Sequence, residues 1–362
     1  MRDSVAERKR YLKIEMKKDK KIKIGMVGLG RVSPRHLEDS IKQMEELELY
    51  AVCDVDKKIA KILAKKEGVK YYLDYHDLVN DKEVDLVSVA TPNYLHNRIG
   101  MLVAKSGKHC VMEKPISLNF LEAKKLTDAF DKSAGILFPV LQVRYNPAVI
   151  TVKKFIDDGM FGRIHTAVLS IHWTRPQEYF DESNWKGRKK LDGGSLLTQA
   201  IHYIDVLQYV LGGVRSIYAK IDTVAHNIEV EDIANAILDL KSGTRVNFDF
   251  TICTYPQNME CSLTILGEKG TVKIGGLAMN KVEYWDVKDT PVPNIPEGLP
   301  PNIYAGGAYV GSCPNHQAIY GNVVDVIIHG KENHIEGKDA LESLKIIDGI
   351  VTSSITKKEI VL

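Results

Sequence analysis

The chain has 362 residues, with 49 Lys+Arg against 47 Asp+Glu, 44% hydrophobic and 27% charged. That length predicts two domains at about 100–200 residues each; the near-neutral charge excludes a nucleic-acid binder working through a global basic field; and no apolar run approaches the roughly 20 residues that span a bilayer. Five scattered cysteines (Cys53, Cys110, Cys253, Cys261 and Cys313) with no CxxC pair argue against a disulfide framework or a structural metal site and predict a reduced, cytoplasmic protein.

Residues 1–21 read as a flexible basic arm without the apolar stretch of a secretory signal, and Met16 is a second candidate start. From Ile22 the pattern changes. Ile22–Val27 is a short apolar run leading into Gly28-Leu29-Gly30, a buried strand and a tight turn. A helix is predicted over Pro34–Met44, a strand over Leu47–Asp54 and a helix through Lys66. Further strands are predicted over Val84–Ala90, His109–Met112 and Ile136–Gln142, with a helix over Tyr94–Ser106. Alternation at this spacing predicts βαβ units and a doubly wound parallel sheet, a Rossmann domain over 22–143. The rhythm then alters. Strands are predicted over Ile164–Trp173, Val214–Thr223, Ile233–Leu240, Thr244–Cys253 and Glu260–Leu266, with one helix at Ser195–Leu211. This predicts a second, α+β domain over 144–362 with a large, mostly antiparallel open sheet. Six prolines between Asp289 and Pro314 predict a long loop.

Three constellations carry chemistry. In Gly28-Leu29-Gly30-Arg31-Val32-Ser33, Gly28 and Gly30 let the backbone turn and approach a pyrophosphate, with Arg31 and Val32 in the same loop. Asp54 closes the second strand, where a carboxylate accepts hydrogen bonds from a ribose diol and repels a 2′-phosphate, so NAD is the expected cofactor. Thr91-Pro92-Asn93 and Glu113-Lys114-Pro115 end two further strands, the edge of such a sheet where ligands bind. Asp192-Gly193-Gly194 leads into a helix on which Thr198, His202 and Asp205 fall at i, i+4 and i+7, one face.

In that order these motifs resemble the Gfo/Idh/MocA oxidoreductase family. Trp173-Thr174-Arg175-Pro176-Gln177-Glu178-Tyr179, Asn227 to Asp232, Thr254-Tyr255-Pro256 and Thr264 to Val272 resemble a narrower branch, the WlbA-type nucleotide-sugar 3-dehydrogenases. The resemblance implies a dinucleotide contacted by Gly28, Gly30, Asp54, Thr91, Asn93, His96, Glu113, Lys114 and Gln142. It implies a catalytic pair, Lys114 and His202, and substrate contacts from Lys114, Arg144, Asn146, Trp173, Arg175, Thr198 and His202. Many members carry Asp where this chain has Thr198, which fits the nucleotide-sugar branch. The resemblance also implies a homotetramer associating through the second sheet.

Oxidising a secondary alcohol requires a base and a hydride acceptor. Neutral His202 is suited to take the hydroxyl proton and the Lys114 ammonium to stabilise the developing alkoxide, with exchanged roles the alternative. Arg144, Arg175, Lys186, Arg188 and Lys189 are candidates to meet an anionic UDP-sugar, and Trp173 or Trp185 to stack on uracil. The expected substrate is UDP-N-acetylglucosaminuronic acid. UDP-N-acetylglucosamine, a free sugar or inositol, and a non-catalytic NAD-bound protein are the alternatives.

Overall fold

The computed structural model describes residues 21–304 and 309–362; the arm before Lys21 lies outside the described residues. Two compact units emerge. The first runs to Val140 and takes in His316–Leu341, and the second comprises Leu141–Asn315 and Glu342–Leu362.

The first unit holds β1 (Ile22–Val27), β2 (Leu47–Cys53), β3 (Lys70–Tyr72), β4 (Leu86–Val89), β5 (His109–Met112) and β6 (Leu137–Pro139) in the order β3-β2-β1-β4-β5-β6, all paired in parallel. Every residue of β4 is buried, as a central strand covered on both faces requires. The order reverses between β1 and β4, so the loops after these strands, carrying Gly28 and Thr91, open at the switch point. The predicted helix over Pro34–Met44 is instead a short helix, Ser33–Leu37, and a separate turn, Ile41–Gln43. The helix Phe120–Asp131 was not predicted, although its start is encoded: Asn119 Oδ1 accepts the Glu122 amide at 2.9 Å, an N-cap three residues before an acid.

The second unit is built on an eight-stranded sheet of β7 (Ile164–His172), β8 (Val214–Asp222), β9 (Ile233–Leu240), β10 (Arg245–Thr251), β11 (Glu260–Gly267), β12 (Gly270–Gly275), β13 (Lys281–Val287) and, after the two-residue strands β14 (Ile303–Tyr304) and β15 (Tyr309–Val310), β16 (Ile360–Val361). Its order is β13-β12-β11-β7-β10-β9-β8-β16. Among the described strands of this sheet only β7 and β10 pair in parallel. Ala167, Leu169 and Ile171 of β7 are buried, and so are Val246, Phe248 and Phe250 of β10, while residues between them face outward, the period-2 signature of a sheet with one open face.

The predicted boundary at 143/144 lies close to the observed one, but the prediction that everything beyond it forms the second domain is corrected. The helix His316–Ile327 belongs with the first unit because its His316 and Tyr320 hydrogen-bond Glu113 and His36. Of the described residues between Asp289 and Pro314, those outside the β14–β15 pair belong to no helix or strand.

Candidate active site

In the first unit the glycine loop is shaped by sterics. Gly28 has φ +91°, and a Cβ there would stand 2.5 Å from the Ala90 carbonyl oxygen, so β1 and β4 meet too closely for any side chain. A Cβ on Gly30 would meet nothing within 4 Å; open space lies above the loop. Asp54 is half-buried. Its Oδ2 accepts the Leu29 amide at 2.8 Å and its Oδ1 the Asp56 amide at 2.9 Å, which locks the carboxylate beside the loop with acceptor capacity remaining for a ribose diol. The Thr91 hydroxyl is buried with no hydrogen-bond partner among the described residues, a polar atom that a ligand would satisfy. These features fit a dinucleotide. Asp54→Ala is expected to weaken NAD and narrow its advantage over NADP, because a carboxylate placed to accept a ribose diol also repels a 2′-phosphate. Fluorescence titration of both nucleotides checks this, and tighter NADP binding by the native protein would contradict it.

Two expected dinucleotide contacts are engaged inside the protein instead. His96 is buried between two carbonyl oxygens, Nδ1 2.7 Å from Pro115 O and Nε2 2.7 Å from Thr91 O, so its ring ties the Thr91 turn to the segment after Lys114. Burial lowers its pKa against the opposing effect of those two carbonyls. Glu113 Oε1 meets His36 Nε2 at 3.1 Å and His316 Nε2 at 3.0 Å, and Oε2 accepts the Lys114 amide at 3.3 Å. Burial raises the Glu113 pKa, but the bonds from His316 and His36 overcome it and hold the carboxyl well below the ordinary range. Asn93 is buried and Lys114 half-buried.

In the second unit, His202 is buried, 2% exposed, on the helix Ile201–Leu211. The turn before it, Leu196–Ala200, is a π turn, a wider turn that recurs at functional sites, so Thr198 does not hold the regular i, i+4 relation to His202 that the sequence predicts. The double glycine is required here. Gly193 has φ +89° and Gly194 +128°, and a Cβ on Gly194 would lie 2.7 Å from Glu231 Oε1, the atom that accepts the Leu196 amide at 2.7 Å and so caps the turn.

Three expected substrate contacts are corrected. Arg144 closes a two-pronged pair on Asp205, Nε to Oδ2 at 2.7 Å and Nη2 to Oδ1 at 2.6 Å, with both side chains buried; the fork that was to grip a carboxylate grips one of the chain's own. Asn146 is fully buried, its amide donating to the Ala278 and Met279 carbonyls and its oxygen accepting from Asn315. Trp173 is 2% exposed and packs edge-on against Tyr203, ring centroids 5.5 Å apart, so it has no face for a base. Arg175 meets neutral acceptors, Thr174 O at 2.6 Å and Gln199 Oε1 at 2.7 Å, among the rings of Trp173, Tyr179 and Tyr309. Gln142 donates to Ser312 Oγ and Cys313 O, and its Oε1 is buried with no partner among the described residues. No local pattern in the sequence marks His316, Tyr320, Gln199 or Tyr309, since each reaches its partners across the fold.

Residues 22–140 match the model of an oxidoreductase family with an NAD-binding Rossmann fold, and residues 149–273 match the GFO/IDH/MocA C-terminal domain. An inositol 2-dehydrogenase/D-chiro-inositol 3-dehydrogenase of Lactiplantibacillus plantarum is 30% identical over 264 residues, 70% of this chain and 71% of that protein. The WlbA dehydrogenase of Bordetella pertussis, solved with NADH and UDP-GlcNAcA, superimposes with a TM-score of 0.85 at 34% identity, covering 95% of this chain and 99% of that one. WlbA of Chromobacterium violaceum, solved with the same two ligands, gives 0.86 at 31% identity over 95% and 96%. No helix among the described residues is long and apolar enough to cross a membrane. With both halves matched and a relative 30% identical over 70% of its length, the chain belongs to the Gfo/Idh/MocA family of oxidoreductases, and its cofactor is NAD.

Proposed function

We propose that the protein oxidises the 3-hydroxyl of UDP-N-acetylglucosaminuronic acid to the 3-keto sugar, a step toward nucleotide diamino sugars of a surface glycan. The observation that carries the nucleotide-sugar reading is the likeness to the two WlbA enzymes, which superimpose over 95% of the chain at 31–34% identity. NAD, when bound, supplies the hydride acceptor. Gly28, Gly30 and Asp54 hold it, and the unpartnered Thr91 hydroxyl faces it. His202 takes the hydroxyl proton, and the Lys114 ammonium stabilises the alkoxide and polarises the ketone. With Arg144 bound to Asp205, Arg175 is the arginine assigned to the uronate, with Lys186, Arg188 and Lys189 nearby in sequence for the diphosphate and Trp185 for the uracil. The working form is a cytoplasmic homotetramer associating through the open sheet face, where Tyr218 and Ile237 are exposed.

A panel of UDP-N-acetylglucosaminuronic acid, UDP-N-acetylglucosamine, myo-inositol and free glucose with NAD, followed by NADH absorbance and product mass, tests the reading on material whose mass is read by sedimentation. A desolvated charge-assisted pair contributes about 1.5–3 kcal/mol, so the uronate is expected to exceed UDP-N-acetylglucosamine in kcat/KM by roughly 10- to 150-fold, with Arg175→Ala erasing most of that ratio. Equal rates on both would move Arg175 to the shared diphosphate. The second reading, a free-sugar or inositol dehydrogenase, has the 30% identity of the inositol relative in its favour and requires inositol to be the best substrate. No NADH with any sugar would mark a binding protein, and a monomer in sedimentation would remove the tetramer.

A further inference from the structure

The first unit carries a buried polar network that the reaction does not by itself explain. His36 Nε2 and His316 Nε2 converge on one oxygen of Glu113, at 3.1 and 3.0 Å. Behind His36, its Nδ1 lies 3.0 Å from the Tyr320 hydroxyl, which donates to Ser88 Oγ at 2.9 Å. His36 and His316 pack edge to face with ring centroids 5.0 Å apart. All five residues are buried. They come from four places in the chain: Ser88 on β4, His36 on the helix after the glycine loop, Glu113 just beyond β5, and His316 and Tyr320 one helical turn apart on the returning helix.

A buried carboxylate is costly unless it is bonded. One histidine would have sufficed; two from distant segments restrict the carboxylate to one orientation. In that orientation its other oxygen accepts the Lys114 amide at 3.3 Å. On the far side, the Pro115 carbonyl is held by His96 at 2.7 Å. Lys114 is therefore flanked by two fixed points of backbone, and both depend on buried histidines.

We propose that His36 and His316, acting through Glu113, are positioning residues that aim the Lys114 ammonium, and that Glu113 serves this role rather than holding the dinucleotide. The proposal rests on the assignment of Lys114 as the group that stabilises the alkoxide. The two histidine nitrogens and the carboxylate oxygen also lie within 4.8 Å of one another, close enough to surround a metal ion. The hydrogen bonds already satisfy them without one, and His36 has its outer nitrogen on a hydroxyl.

The test is a thermodynamic cycle of His316 and Lys114, measured with the fastest sugar of the panel. A misplacement of about 1 Å costs on the order of 100-fold in turnover, so His316→Leu is expected to lower kcat by roughly 10- to 100-fold. KM and the NAD dissociation constant should stay within about threefold, the uncertainty allowed for a group that binds neither ligand. His316→Gln, which keeps an N–H donor, should restore most of the loss. In a Lys114→Ala background, His316→Leu should have no further effect on kcat, because there is no ammonium left to aim. An equal loss in both backgrounds overturns the proposal, as does unchanged turnover in His316→Leu. NAD affinity falling in step with kcat would return Glu113 to the dinucleotide and also overturn it. Should His316→Leu fail to fold by circular dichroism, Glu113→Gln carries the same cycle with the same expected pattern. Near-native turnover in Lys114→Ala alone would overturn the assignment of Lys114, and the proposal with it. Stoichiometric zinc retained through dialysis by the native protein and lost in His316→Leu would make the cluster a metal site instead.

Discussion

His202→Ala is expected to lower kcat by about 10²–10⁴-fold, the usual contribution of a positioned general base, and Lys114→Ala by about 10²–10³-fold, the loss on removing one preorganised electrostatic group. Neither change should move NAD affinity much. For His202 the structural alternative is a buried histidine that only packs, since it is 2% exposed with the Tyr203 ring 6.3 Å away. His202→Asn then distinguishes the two, because it keeps a polar group in the space but titrates nowhere near neutrality. If His202 is the base, His202→Asn stays slow and loses the pH dependence of kcat/KM around neutrality. Near-native rates in His202→Asn, with Lys114→Ala slow and without that pH dependence, would exchange the two roles.

Arg144→Ala is expected to be the most damaging substitution for folding. The Arg144 fork and the Asp205 carboxylate are almost wholly buried, at 6% and 1% side-chain exposure. Asp205 Oδ1 also accepts from Ser343 and Gln208 at 3.2 and 3.3 Å, and the guanidinium lies 4.6 Å from the centre of the Tyr209 ring. Removing the arginine leaves a buried carboxylate without its counter-charge, which costs about 3–5 kcal/mol. At roughly 2–4 °C per kcal/mol for a unit of this size, that is a fall in Tm on the order of 6–20 °C. The pair itself need not be a net stabiliser, because desolvating two charges offsets their attraction; Arg144→Met combined with Asp205→Leu is therefore expected to recover most of the loss. Differential scanning calorimetry of the single and double variants decides the matter. A native Tm in Arg144→Ala, accompanied by selective loss of activity on the uronate, would restore Arg144 to substrate binding.

The residues proposed to hold the dinucleotide were legible because their chemistry is local. A tight turn after a buried strand and an acid at the end of the next strand follow from neighbours within one βαβ unit, and Gly28 and Asp54 stand where those rules put them. Strand placement was equally legible where burial is periodic: β5 and β9 have the predicted bounds. Elements whose apolar content is thin, such as β3 and the helix Tyr75–Asn80, left too weak a periodicity to find.

By itself the sequence determined that the first half of the chain is a nucleotide-binding parallel sheet and that the second is a largely antiparallel one. Each of these follows from spacing along the chain. Only the tertiary structure decided which polar residues remain for a ligand. Arg144 and Asp205 are 61 residues apart, Glu113 and His316 203 apart, and no local pattern links such partners. The cost of burying a charge or an amide without a partner draws these groups together once the core forms. Arg144, Asn146 and Glu113 were expected at ligands through the family resemblance, and the fold uses their polar chemistry to satisfy its own interior.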